Sequence, residues 1–447
     1  MANAGIWNGQ TKVRPGAYIN FKAVRKVNVS ASDRGVVALP LALGWGPEDK
    51  AVEITAAEIA DGSFTKKLGC TIEDPAVQPL IEAMKYASKA IVYPLTSGGL
   101  KAKATIGADD GITVEAVHAG TKGNNITIVI KSTSTEGLFE VSTLLGSATQ
   151  DRQRAKTADD LKANSFVTFT GKGALEESAG VKLSGGTDSN ITTTTFNNFM
   201  AAIKSKAWNV VGFPLCGVDG SALNPVVVPF IKDLRDVGKK VQAVVNNYPS
   251  ADLEGIISVD QGYITENETV DVDSFVGMVA GLTAGTPINQ SNTYRVITGA
   301  QEIINPKTDE EIEAGILNGC LILSYRQDGA VVIESDINTL VNTGVDKNDS
   351  FKKNRVIRTL DDIAMTARSI FENSFIGKVT RNENGRNAFK ASLVKYFTEL
   401  QNMEAIQNFD AEDIEVLDGE AIDAIVVNVS VQPLDSMEKL YMTVTVN

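Results

Sequence analysis

The chain has 447 residues, 43% of them apolar and 22% charged, which is globular composition and room for two to four domains at about 100–200 residues each. Its net charge of −13 opposes nucleic-acid phosphate and anionic lipid headgroups, so neither nucleic acid nor membrane is expected as a partner. A single histidine, His118, and three scattered cysteines, Cys70, Cys216 and Cys320, exclude any two-histidine metal site, any Cys-His or Ser-His-Asp centre not built on His118, and a disulfide framework.

In chain order, residues 1–14 carry no apolar run that reads as a secretory signal, pointing to a reducing cytoplasm. Pro15 bars helix from the segment Arg14-Pro15-Gly16-Ala17-Tyr18-Ile19-Asn20-Phe21, which reads as an extended arm with a short strand. Such a strand must find a sheet, because unpaired backbone is costly to bury. Residues 35–43 read as a buried strand broken at Pro40. Helical spacing follows at 55–59 and 76–89, then a second buried strand at 90–95.

The texture changes at Gly98-Gly99. Residues 112–117, 125–130 and 138–141 alternate, with glycines between them. A helical turn opens at Thr157, strand texture returns at 166–169, and Gly185-Gly186 closes the segment. It reads as an inserted β-sandwich. His118 closes one of its strands, with no catalytic role. Beyond it, helices at 195–206, 224–236 (opened by Pro225) and 274–284 alternate with strands at 208–213, 240–245 and 255–259. That alternation implies a mixed sheet covered on both faces. The near-continuous apolar stretch 275–292 reads as a buried helix, being interrupted by polar residues and short of a membrane span. Strands at 319–324 and 330–334 end this part. Helices at 359–375 and 387–401 come next, followed by strands at 414–417, 424–431 and 440–446.

The expected fold is therefore α/β and α+β, in six segments. An extended arm (1–22) precedes the first part of an α/β core (23–97), an inserted β domain (98–188) and the second part of the core (189–345). A C-terminal α+β domain (346–431) and a strand-forming arm (432–447) complete the chain. No glycine patch matches a phosphate-binding loop, and no acidic cluster has calcium-loop spacing, so no cofactor and no metal is expected.

The order of motifs resembles the contractile tail sheath proteins of phages and phage-like particles, nearest the Gram-positive Myo-type phages and R-type bacteriocins. The resemblance rests on residues 14–21, on Thr113-Val114-Glu115-Ala116-Val117-His118-Ala119-Gly120, on Glu254-Gly255-Ile256-Ile257, and on Lys353-Asn354-Arg355-Val356-Ile357-Arg358. Val431-Gln432-Pro433-Leu434-Asp435-Ser436 extends it to the C-terminus. It implies a non-enzymatic subunit of a phage or bacteriocin tail, assembled in the bacterial host cytoplasm as stacked hexameric rings of identical copies. The implied partners are a tail tube protein, the baseplate and a tail terminator.

Strands donated between subunits are expected from Arg14, Pro15, Gly16, Tyr18, Ile19 and Phe21, and from Leu440, Tyr441, Met442, Val444 and Val446. The basic cluster Lys352, Lys353, Arg355 and Arg358 is a candidate tube-facing surface, or else a solvated helix start. An α/β enzyme with a β-sandwich appendage is the alternative reading. It calls for a discrete particle with both termini folded back.

Overall fold

The computed structural model describes residues 34–96, 98–107, 111–345 and 347–446, with the backbone of Ala4–Gly5 and Ala17–Tyr18, which run parallel to each other. The remaining calls on the N-terminal arm, at Arg14, Pro15, Gly16, Ile19 and Phe21, lie outside the described residues.

The α/β core contains β1 (Val36–Leu41), β2 (Val52–Thr55), α1 (Gln78–Met84) and β3 (Lys89–Pro94). After the insertion come α2 (Thr193–Ile203), β4 (Val210–Phe213), α3 (Gly220–Asp236), β5 (Gln242–Asn246), β6 (Ile256–Val259) and α4 (Val272–Gly285). They form one mixed six-stranded sheet in the order β6-β5-β4-β1-β3-β2, parallel except for the edge strand β2. Val37, Leu39 and Leu41 point to the side covered by α1 and α4. Ala38, Val211 and Phe213 point to the side covered by α2 and α3. Burial on both faces is why these strands read as apolar runs.

Helix α4 is buried from Ser274 to Ala284. Its glycines recur every fourth residue, so one face of the helix lacks side chains and α1 lies directly against it. A Cβ at Gly277 would sit 2.2 Å from the Pro79 carbonyl oxygen, and one at Gly281 would sit 2.1 Å from that of Ala83.

Two proline expectations need correcting. Pro40 does not break β1, which pairs with β3 through Leu41. Pairing with β4 stops at Ala38, and the Pro40 carbonyl faces Cys216 beyond the end of β4. The N–H that proline lacks would point to that vacated side. Likewise Pro225 does not open α3, which starts at Gly220 behind the N-cap Asp219. Pro225 and Pro229 lie on its exposed face, so the carbonyls they release belong to exposed residues.

The insertion is a β-sandwich. One sheet orders Ala148–Ala155, Phe139–Leu145, Ile126–Ser132 and Ser178–Lys182; the other orders Val167–Thr170, Ile112–Ala119 and Lys101–Ile106. Ile112, Val114 and Ala116 meet Ile126, Ile128 and Ile130 between them. Ala148–Ala155 escapes sequence reading because its polar residues show no alternation.

The C-terminal α+β region has helices α5 (Asn354–Ser374) and α6 (Glu383–Asn402) and the hairpin β7 (Ile414–Asp418) and β8 (Ile425–Val429). Phe371, Phe375 and Phe389 pack between the helices, with ring centroids 4.9–6.4 Å apart. The buried Tyr396 hydroxyl of α6 donates to the Asp362 carboxylate of α5 at 2.5 Å. No helix among the described residues is long and apolar enough to cross a membrane.

Candidate assembly surfaces

Helix α5 opens inside the molecule, because the first residues of its sequence are polar groups matched to partners in the core. Asn354 donates to Asp336 at 2.9 Å and to the Ile337 carbonyl at 2.8 Å, and it accepts from Gln242 at 3.2 Å. Arg358 is fully buried and donates to Asp336 at 3.0 Å and to the Gln290 carbonyl at 2.7 Å. Asp361 receives a bidentate clamp from Arg235 of α3, at 2.7 and 2.9 Å. Burial pulls the Arg235 guanidinium down, but the carboxylates of Asp361 and Glu254 leave it above its ordinary value. A paired, buried charge of this kind favours one orientation of α3 against α5, since a shift that breaks the clamp while the site stays buried leaves an ion unpaired.

The basic cluster singled out in the sequence is therefore not one surface. Lys352 is half exposed and pairs with Asp349 at 2.8 Å. Lys353 pairs with Glu438 near the C-terminus. Arg355 donates to the Ser436 hydroxyl at 2.9 Å and to the Glu404 carbonyl at 3.1 Å, and Arg358 is sealed in the junction. All four candidate tube-facing groups have intramolecular partners, and only the Lys352 pair lies at the surface. They are neighbours in sequence, but the turn before α5 and the first turn of the helix aim them at different parts of the chain.

Arg34, where the described body begins, donates to the Thr283 carbonyl at 3.2 Å and lines a cleft of about 210 Å³ with Asp361 and Asp362. Loss of water and the Arg358 charge lower its guanidinium to about 10, against the pull of the two aspartates. Arg34 and Ser436 thus both lie beside α5.

The hairpin is an incomplete sheet. Among the described residues no strand pairs with the outer edge of β7 or of β8. Leu417, Val426 and Val429 are exposed. Along β8 runs an apolar groove of about 360 Å³ floored by Phe371, Phe389, Leu393 and Phe397 and walled by Val427 and Val429. A second hollow of about 390 Å³ adjoins it at Ile425 and ends at Arg381 and Arg386. Both arginines reach Asp418, at 2.8 and 2.7 Å, which fixes the hairpin's tip.

The predicted last strand does not pair with any strand among the described residues. Residues 434–446 have no strand partner, and Leu440, Tyr441, Met442, Val444 and Val446 are each at least 71% exposed. The alternating pattern that signals a strand is present, but among the described residues no strand pairs with it. The cysteines carry no visible chemistry. All three are free thiols, and burial pushes Cys70 and Cys320 up to about 11 and, with Asp273, Cys216 to about 12.

Comparison with solved structures defines the class. The chain superposes on the crystal structure of a sheath tail protein from Desulfitobacterium hafniense with a TM-score of 0.84 and 36% identity, covering 96% of this chain and 99% of that one. It shares the fold of the contracted helical sheath of the anti-feeding prophage at a TM-score of 0.58 and 12% identity, covering 98% and 100%. Four tail sheath families match in chain order. They are the Gp18 domain III N-terminal region at 34–95, the beta-sandwich domain at 97–188, the central domain at 189–339 and the C-terminal domain at 346–447. Along its whole length the chain is 35% identical to the phage-like element PBSX protein XkdK of Bacillus subtilis (strain 168), all of which it covers. The chain belongs to the phage tail sheath protein family, whose members are structural components of phage and phage-like particles.

Proposed function

We propose that this chain is the repeating subunit of a contractile sheath, stacked as hexameric rings around a tail tube and anchored between a baseplate and a tail terminator. Assembly takes place in the host cytoplasm, and contraction drives the tube through a target envelope. The role is mechanical and not enzymatic.

One observation carries the reading: the chain holds both halves of an unmade sheet. It offers an apolar, unpaired hairpin edge at β8 and an exposed apolar segment at Leu440, Tyr441, Met442, Val444 and Val446. Pairing the segment of one copy with the hairpin of another satisfies both. The predicted N-terminal strand at 14–21 would add in the same way. Burying one such side chain is worth about 1.5–3 kcal/mol, against about 1–2 kcal/mol to order each backbone residue. A single arm therefore binds weakly, and a lattice of many arms binds strongly. Contraction needs no nucleotide if the extended lattice is metastable and the contracted one has better contacts.

Electron microscopy of the purified chain tests this. Tubes or stacked rings are expected, and deletion of residues 1–22 or 439–446 should abolish them while the monomer stays folded. Small uniform particles from the intact chain would favour the α/β-enzyme alternative instead. Ordered tubes from both deletions would remove strand donation.

A further inference from the structure

The C-terminal arm does not leave the body at the end of its last paired residues, Gln432–Pro433. The Leu434 amide donates to the Ala405 carbonyl at 3.0 Å. From there alternate residues turn inward: Ser436 and Glu438 are half-buried, while Asp435 and Met437 are exposed. Arg355 donates to the Ser436 hydroxyl at 2.9 Å. The Glu438 carboxylate accepts from the Thr293 hydroxyl at 2.8 Å and pairs with Lys353. Thr293 is itself tied in, since its hydroxyl accepts from the Asp336 amide at 2.9 Å. Asp336 is the buried partner of Asn354 and Arg358. From Lys439 to Val446 every residue is exposed.

We propose that Thr293, Lys353 and Arg355 form a clasp on Ser436 and Glu438 that sets the free length of the C-terminal arm at residues 439–446. This rests on the reading that the arm pairs with a second copy of the chain. Eight extended residues reach at most about 26–29 Å. An acceptor hairpin therefore has to come within that distance of Glu438. With the clasp open the free arm starts at Asp435 and reaches about 40 Å or more, far enough to find a different neighbour. The clasp makes the arm a ruler for one lattice. Because Lys353 caps α5, Arg355 sits on its first turn and Thr293 touches Asp336, a pull on the arm passes directly into the buried junction with the core.

The test uses the full chain with Cys216→Ser and a nitroxide on Lys439→Cys. The unassembled protein should show a slow spectral component. Lys353→Glu and Glu438→Lys should each lose it, and the double exchange should restore it by reversing the pair. A slow component that survives both single changes, or that the double exchange fails to restore, overturns the clasp. Tubes grown from the same variants without label read the ruler: the single changes should lose the uniform helical lattice and the double exchange regain it. An unchanged lattice from single changes that free the label overturns the ruler. The 439–446 deletion separates the underlying reading. If that deletion still gives the same tubes, strand donation by this arm fails, whatever the label shows.

Discussion

The Trp45 indole meets the His118 imidazole edge to face with ring centroids 5.2 Å apart, although Trp45 leaves the α/β core and His118 lies in the inserted sandwich. Trp45 also touches Phe166 at 6.0 Å, and Gly69 packs on its ring. Around it, Gly120 lies against the Gly44 carbonyl, and Lys122 pairs with Asp74. Trp45 is counted among the sandwich's own buried residues, so it bolts the insertion to the core.

Replacing Trp45 with Ala removes that bolt. A buried tryptophan lost this way costs about 3–5 kcal/mol, and the loss should be local. Hydrogen exchange is expected to rise across the 44–46 and 117–123 peptides while the strands of the core sheet stay protected. Uniform exposure of the whole chain would show instead that the two domains unfold as one.

His118 adds a pH dependence. Burial, helped by the Lys101 charge, holds its imidazole below the ordinary 6.5. The folded state therefore prefers the neutral ring, and its contribution is complete above the unfolded value. It is lost as pH falls through about 6.5 toward the folded value. Since His118 is the sole histidine, its imidazole resonances can be followed without assignment. The midpoint should fall below 6.5 and move up toward it in Trp45→Ala.

Gly281→Ala tests the close approach of α4 to α1. The added methyl would lie 2.1 Å from the Ala83 carbonyl oxygen, which is backbone and cannot swing aside. Overpacking of this kind costs about 1–3 kcal/mol, outweighing the better helix propensity of alanine. A lower unfolding midpoint by calorimetry is expected.

Arg235→Met tests the junction. It leaves the buried Asp361 carboxylate without its bidentate partner and should destabilise by about 3–5 kcal/mol. Chemical denaturation should show the loss, and pairing it with Asp361→Leu should recover part of it, because the stranded Asp361 charge is gone and Glu254 keeps Lys347.

The sheath resemblance, the buried sheet, the sandwich texture and the two long C-terminal helices were all legible in the sequence. Apolar runs, period-two alternation and the ordered motifs are local signals that survive without three-dimensional context. The strand expected at 440–446 is not formed in the structure, where those residues are exposed and have no strand partner. What only the tertiary structure decided were relationships between distant segments. Arg355 and Arg358 read as surface charges until the fold brought Ser436, Gln290 and Asp336 to them. Pro40 read as a break until β4 was seen to end beside it. Among the described residues, 434–446 have no strand partner, because pairing depends on where an edge lies and not on the segment alone. A residue's propensity is set by its own chemistry, but its partner is set by where the rest of the chain goes.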